Sequence, residues 1–256
     1  MVQVALLIDT TYCIGCQGCQ IACKQWWNLG IARTEFNPGL TNPPELDTDT
    51  YTRINFYEVE KDGQLTWNFV HKRCFHCINP ACVSVCPVQA LQKYPDGPVV
   101  WDEARCIGCR YCLNACPFDI PKFEWEKSWP KVQKCWFCWD RLADGLAPAC
   151  AKTCPPSAIE FGVRDDLVAE AHRRIEANPE KYHDYVYGET EAGGTSLLYL
   201  AAVPFEELGF NMDVEKDEYP DYTWEFLSRV PIEVAAIAAV MGGVYFWRKK
   251  RLEGKA

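Results

Sequence analysis

Excess positive charge is missing from this 256-residue sequence: 26 Lys and Arg face 35 Asp and Glu, giving a net charge of -9 and a pI near 5.0. A nucleic-acid partner, which needs a basic face, is not expected. Also missing are a phosphate-binding P-loop, a dinucleotide fingerprint, a nucleophile triad and a paired-carboxylate motif. These absences predict no active site of the chain's own. The start, "MVQVALLIDT", has neither a basic head nor a long apolar run, so no export signal is expected there. Histidine is confined to His71, His76, His172 and His183. The remaining composition, 48% hydrophobic and 24% charged, is globular and suits one large domain or two small ones.

Cysteine is in excess, with sixteen residues, and all of them fall into four groups. The first is Cys13, Cys16, Cys19 and Cys23, in "CIGCQGCQIACK". The second is Cys74, Cys77, Cys82 and Cys86, and the third is Cys106, Cys109, Cys112 and Cys116. The fourth is spread wider, as Cys135, Cys138, Cys150 and Cys154. Each reads C-x-x-C, then a third cysteine, then C-x-x-x-C. Pro87, Pro117 and Pro155 follow the last cysteine of three groups, and Lys24 stands there in the first.

Three cysteines at C-x-x-C-x-x-C wrap a loop around one iron–sulfur cubane, each thiolate on a different iron. The fourth iron then needs a ligand from elsewhere. The last cysteine of each motif is expected to begin a helix, point away and serve another cluster. Motifs then work in pairs, and four of them make four [4Fe–4S] clusters with every cysteine spent. Four Cys₄ zinc sites or eight disulfides are the alternatives. Zinc motifs present two cysteines per knuckle, however, and disulfides do not favour thiols two residues apart. The spacing therefore points to iron–sulfur.

The rest of the chain suits small α+β modules. "VQVALLID", "LTWNFVHKR", "AIEFG" and "TSLLYLAAV" read as strands, "QGCQIACKQWW" as a short helix and "YPDGPVVWD" as a hairpin. Cluster loop, helix and strand recur as in a ferredoxin-like β-α-β module. "RDDLVAEAHRRIEANPE" is an amphipathic helix with Leu167, Val168, Ala171 and Ile175 on one side. "EAGGTS" reads as a turn rather than a phosphate cradle.

The chain resembles the four-cluster iron–sulfur electron-transfer subunits of molybdenum- or tungsten-dependent oxidoreductases. It is most similar to the β subunit of membrane-bound formate dehydrogenase. The likeness rests on the order of the four motifs and on "IDTTYCIGCQGCQIACKQWWN", "NPPELD", "GQLTWNF", "PACAKTCPPSAIEFG" and "GGTSLLYL". It implies an α+β fold of two ferredoxin-like [4Fe–4S] modules with insertions, plus one C-terminal transmembrane helix. The first module would comprise residues 1–30 and 131–163, and the second residues 65–130. Residues 31–64 would be an insertion, 164–222 a helix and strand extension, and 223–250 the anchor. The resemblance pairs the first motif with the fourth and the second with the third. Cys13, Cys16, Cys19 and Cys154 would hold one cluster, and Cys135, Cys138, Cys150 and Cys23 another. Cys74, Cys77, Cys82 and Cys116 would hold a third, and Cys106, Cys109, Cys112 and Cys86 the fourth.

The implied partners are a catalytic molybdopterin subunit (molybdenum or tungsten) and an integral membrane cytochrome b that reacts with quinone. With all four ligands of each cluster supplied by cysteine, no iron is left open for substrate. The expected role is thus a non-catalytic electron conduit for formate oxidation. Alternatives are the same role beside a nitrate, thiosulfate, polysulfide or sulfoxide reductase or a hydrogenase, a free-standing ferredoxin, or a structural zinc protein. His76, inside "CFHC", is a candidate to hydrogen-bond a cluster sulfur. Lys72 and Lys134, with Arg73, Arg105, Arg110 and Lys152, flank the cysteines and are candidates to favour reduced clusters by their charge. Trp26, Trp27, Trp136 and Trp139 stand beside cluster ligands and are expected to shield them from water.

The C-terminal segment "VPIEVAAIAAVMGGVYFWRKKR" carries no charge from Val234 to Trp247. That stretch spans only about 21 Å as a helix, short of a hydrocarbon core of about 30 Å. Extended back to Val230 it includes only Glu233 as a charge. Tyr245, Phe246 and Trp247 then precede Arg248, Lys249, Lys250 and Arg251. An aromatic end followed by basic residues predicts a single inner-membrane pass with a cytoplasmic C-terminus and a periplasmic cluster domain. The alternative is a buried core helix.

Overall fold

The computed structural model describes residues 2–253 except 32, 33, 35, 37–39, 62 and 131. The strands are β1 (Val4–Asp9), β2 (Thr52–Lys61), β3 (Gln64–Arg73), β4 (Leu91–Lys93), β5 (Val99–Trp101), β6 (Lys122–Phe123), β7 (Val132–Gln133), β8 (Ile159–Val163) and β9 (Leu197–Leu200). The helices are α1 (Gly18–Trp26), α2 (Ala81–Ser84), α3 (Tyr111–Asn114), α4 (Trp139–Ala143), α5 (Ala149–Thr153), α6 (Arg164–Ala177), α7 (Tyr219–Leu227) and α8 (Val230–Glu253). Every strand and helix expected from the sequence is present. Residues up to Glu218 form one unit and Tyr219 onward another.

In the first unit, β1 lies at the centre of a three-stranded sheet, antiparallel to β8 and parallel to β9. Both faces of β1 are buried, which is why it reads as a continuous apolar run rather than an alternation. Ala5 and Leu7 join Leu198 and Leu200 against Leu167, Ala171 and Ile175 of α6. Ile8, on the other face, lines the cavity of the first cysteine motif. The sheet is thus a wall, with α6 behind it and cysteine loops in front.

The segment 31–64 is not a plain insertion. Residues 32, 33, 35, 37–39 and 62 lie outside the described ones, but Thr52–Lys61 form β2, which pairs antiparallel with β3 from Thr52↔Arg73 to Lys61↔Gln64. This hairpin puts Ile54 opposite His71 and buries both. A second core of Ala90, Leu91, Val99, Trp101 and Val132 gathers around Cys112. Helix α1 packs on α5, and α2 on α3. These contacts join the first motif to the fourth, and the second to the third.

In the second unit, α8 is longer than the uncharged stretch that motivated it. Its 24 residues rise by about 36 Å, enough to cross a bilayer core. Its most apolar window has a mean hydropathy of 1.6 and is 0% buried within the protein. Ile232, Ile237, Val240 and Val244 are all exposed.

Candidate metal centres

The four motifs fold as four copies of one loop. Two residues after the first cysteine, the backbone turns left-handed each time: φ is 65° at Gly15, 50° at His76, 66° at Gly108 and 59° at Phe137. Left-handed residues other than glycine cost about 1–2 kcal/mol, so a shared requirement is holding His76 and Phe137 there. The turn aims an amide at the first thiol. Gly15 donates to Cys13 and His76 to Cys74, while Phe137 N–H reaches Cys135 Sγ at 3.3 Å. Glycine is further required at Gly15, where a Cβ would lie 2.9 Å from the Phe69 ring.

A second repeated device follows the fourth cysteine. Gln89, Asp119 and Ser157 are again left-handed, and each donates its amide to the carbonyl of Cys86, Cys116 or Cys154 at 3.2 Å. The fourth cysteine does not begin a helix, as the spacing suggested. In three motifs it follows one: Cys86 and Cys116 lie just past α2 and α3, and Cys154 caps α5, whereas Cys23 lies inside α1. The third cysteine sits on that helix, and one turn carries the chain about 6 Å from it to the fourth. The short helix thus separates two neighbouring sites.

Among the sixteen free thiols, several influence one another across motifs. Burial raises Cys13, and Cys154 and Cys16 add to the rise. Burial raises Cys23 well above an ordinary thiol, with Cys135, Cys150 and Cys138 adding to it. Cys77 behaves likewise beside Cys116, Cys82 and Cys74. Cys112 is pushed up to about 12 by burial, with help from Cys109, Cys106 and Cys86. Each of these four groupings joins thiols of one motif to the fourth cysteine of another, while Cys19 feels Cys150, and Cys74 feels Cys135, ahead of any thiol in its own grouping.

The sets also adjoin in a line. Cys19 of the first feels Cys150 of the second, Cys74 of the third feels Cys135 of the second, and Cys82 of the third feels Cys112 of the fourth. Cys16, in the set at one end, is exposed. In the set at the other end, Cys106 and Cys109 are partly exposed beside the exposed Ile107.

Thiolates crowded away from water need compensating positive charge. No group of three His, Cys, Asp or Glu side chains among the described residues is arranged to hold a single ion. Thiols that feel one another without converging on one point suit a cage of several irons better than one zinc. Amides aimed at sulfur suit it too. The donor set fits [4Fe–4S].

The environment of the thiols is cationic in places. Arg73 is buried, and its guanidinium donates to Cys150 Sγ at 2.7 Å and Cys135 Sγ at 2.8 Å. Burial opposes its charge, yet Cys135, Cys150, Cys138 and Cys23 hold it well above the usual value. Lys134 is buried too and donates to the carbonyls of Val99 and Cys135. Its charge pulls down Cys74 and Cys82 against their burial. Lys93, pulled down to about 8 mainly by burial, donates to the Cys77 carbonyl at 2.9 Å. His76 accepts from Val99 N–H at Nδ1, and burial keeps its ring neutral, so its proton is on Nε2. Nε2 is buried without a partner among the described residues.

Lys72 lies elsewhere. It is half-buried between His71 and Arg73, on the opposite face of β3, and lines a surface pocket with Asn55, Phe118 and Asp119. Trp27 packs edge-on against Trp136 at 4.5 Å and Trp101 lies 6.2 Å from it, while Trp26 is exposed and bonds Asp140. Neither the place of His71 nor that of Arg73, beyond its charge, shows in the cysteine motifs. The alternation of β3 was the signal that sets both apart from Lys72. The amides of Gly193 and Gly194 are spent on backbone carbonyls, as a turn requires.

Residues 65–164 and 12–90 each match a 4Fe-4S dicluster domain family. The chain is 34% identical over 250 residues to the formate dehydrogenase iron-sulfur subunit of Haemophilus influenzae, covering 95% of this chain and 78% of that one. The chain belongs to the formate dehydrogenase iron–sulfur subunit family. It is an α+β protein with two ferredoxin-like 4Fe-4S domains, and an electron-transfer chain rather than a catalytic one. A protein of Nitratidesulfovibrio vulgaris is 41% identical over 249 residues, 96% of this iron–sulfur subunit and 67% of its own length. The Hydrogenase-2 operon protein HybA of Escherichia coli O157:H7 is 35% identical over 237 residues, with 80% and 72% covered. The subunit thus spans about two thirds to three quarters of these relatives.

Proposed function

We propose that the chain carries four [4Fe–4S] clusters and conducts electrons from a molybdenum or tungsten pterin subunit that oxidises formate to a membrane cytochrome b and quinone. The ligand sets are Cys13, Cys16, Cys19 and Cys154; Cys23, Cys135, Cys138 and Cys150; Cys74, Cys77, Cys82 and Cys116; and Cys86, Cys106, Cys109 and Cys112. The observation that supports this reading is that Cys23 feels Cys135, Cys138 and Cys150, Cys77 feels Cys116, and Cys112 feels Cys86, so that thiols of paired motifs lie together, and that neighbouring groups adjoin in one line. When bound, the clusters supply one-electron relay, and each formate oxidised by the partner releases two electrons, one proton and CO₂.

The chain's own residues bury the sites, fix their order and set their charge. His76 Nε2–H and Lys134 are assigned to the third set, and no role is assigned to Lys72. The modules are assigned as residues 1–30 with 131–163, and 65–130, because α1 packs on α5 and α2 on α3. Helix α8 anchors the chain in the inner membrane. The basic residues from Arg248 to Arg251 stay cytoplasmic and the acidic approach from Asp213 to Glu225 stays periplasmic, with the clusters. The likeness to HybA supports a second reading, in which the same conduit serves a hydrogenase.

Metal analysis of anaerobically purified protein tests the cluster content. The expected result is about sixteen irons and as many acid-labile sulfides per chain, with a brown colour. Zinc without sulfide would overturn the reading. Purification of the intact complex with dye-linked assays of formate and of hydrogen then decides between the two partners.

A further inference from the structure

Strand β3 delivers two different donors to two different sites. His71 and Arg73 are two residues apart, so both side chains leave the same face of the strand, and each is 1% exposed. We propose that these two residues set the reduction potentials of the two cluster sites built from the first and fourth motifs, and set them unequally, with the Cys23, Cys135, Cys138 and Cys150 site the higher. This rests on the cluster reading above.

Arg73 acts by charge. Its two terminal nitrogens each take one thiol, Cys150 and Cys135, which is the fork geometry a guanidinium offers. Its Nε is buried without a partner, and no carboxylate among the described residues forms an ion pair with it. A full positive charge buried with only thiolates and their cluster for counter-charge stabilises whichever state of the site is more negative. Reduction adds one electron to the site and makes or breaks no bond, so Arg73 raises its potential.

His71 acts by a dipole. His71 lines the cavity bounded by Cys13, Cys16, Cys19 and Cys154. Both ring nitrogens are buried with no hydrogen-bond partner among the described residues, thiols included. The adjacent guanidinium and the lack of water keep the imidazole neutral, so it carries one N–H. An orphaned buried donor costs about 1–3 kcal/mol, which the fold tolerates when a partner arrives in the cavity. The group left to receive it is the sulfur of the bound cluster. A neutral N–H favours the reduced state less than a full charge does, which orders the two sites.

The test is a potentiometric titration of the purified, cluster-loaded chain, followed by EPR, with Arg73→Met, Arg73→Lys, His71→Phe and His71→Gln beside the wild type. Cys23→Ser and Cys154→Ser identify which signal belongs to which site. The expected result is a downward shift of the midpoint of the Cys23 site alone in Arg73→Met, and a smaller downward shift of the Cys154 site alone in His71→Phe. Arg73→Lys and His71→Gln, which keep a charge and an N–H, should recover part of each shift. If a truncating variant loses iron, Arg73→Gln or His71→Leu, which likewise lack the charge or the N–H, is measured in its place, and a wild-type midpoint there at full iron content overturns the proposal. So do midpoints that stay unmoved at full iron content, or four that move together. A wild-type chain short of about sixteen irons would instead overturn the four-cluster reading itself.

Discussion

Replacing Cys23 by Ala is expected to remove the cluster shared with Cys135, Cys138 and Cys150, although Cys13, Cys16 and Cys19 are its neighbours in sequence. Iron should fall by about four per chain, and the EPR signal tied to Cys135 should vanish while that tied to Cys154 stays. Loss of the Cys154 signal alone would show that each motif holds its own cluster. Gly15→Val is expected to damage the neighbouring site, because φ is 65° and the Phe69 ring leaves no room for a side chain; iron content at partial occupancy reads this out. The cysteines were legible in the sequence because their chemistry depends on spacing along the chain. His71 and Arg73 were not, because their roles depend on which way a strand faces. That facing is set by pairing with β2, and β2 was hidden in a segment rich in turn formers. Its signal was the Asp62-Gly63 pair before Gln64 and the alternation of Ile54 and Phe56.

Elements that pack by ordinary hydrophobic contact were the easiest to anticipate. Helix α6 buries Leu167, Ala171 and Ile175 as its periodicity predicts, and β9 buries all four of its residues. Leu198→Ala, in the core between the sheet and α6, should cost about 2–5 kcal/mol and lower the melting temperature measured by circular dichroism. The short helices α2, α3 and α5 carry no such pattern, being only 4 or 5 residues long, and are set by the cysteine loops. Their place before the fourth cysteine, rather than after it, could not be read from spacing. Helix α8 was legible as a type and not as a length, because it runs past the uncharged stretch into the basic residues. Val240→Lys puts a charge near its middle, at a cost of about 2.5–3.5 kcal/mol for insertion. Membranes carrying that variant without partner subunits should release a brown, soluble protein, whereas the wild type should pellet with them.

At the scale of the whole molecule, the proposed line of buried sulfur sites would pass electrons between a partner at each end. Protease added outside sealed, inside-out membrane vesicles should leave the cluster domain intact, since that domain is assigned to the periplasmic side; digestion would reverse the topology. The most direct test of the conduit itself is formate-driven reduction of the chain's clusters, followed by EPR under anaerobic conditions. In the complex with its catalytic subunit, formate should reduce the clusters, and added quinone should reoxidise them. The isolated chain, loaded with the same iron, should show no change with formate while responding to dithionite. Formate oxidation by the isolated chain, or clusters that stay oxidised while the complex turns formate over, would contradict the account.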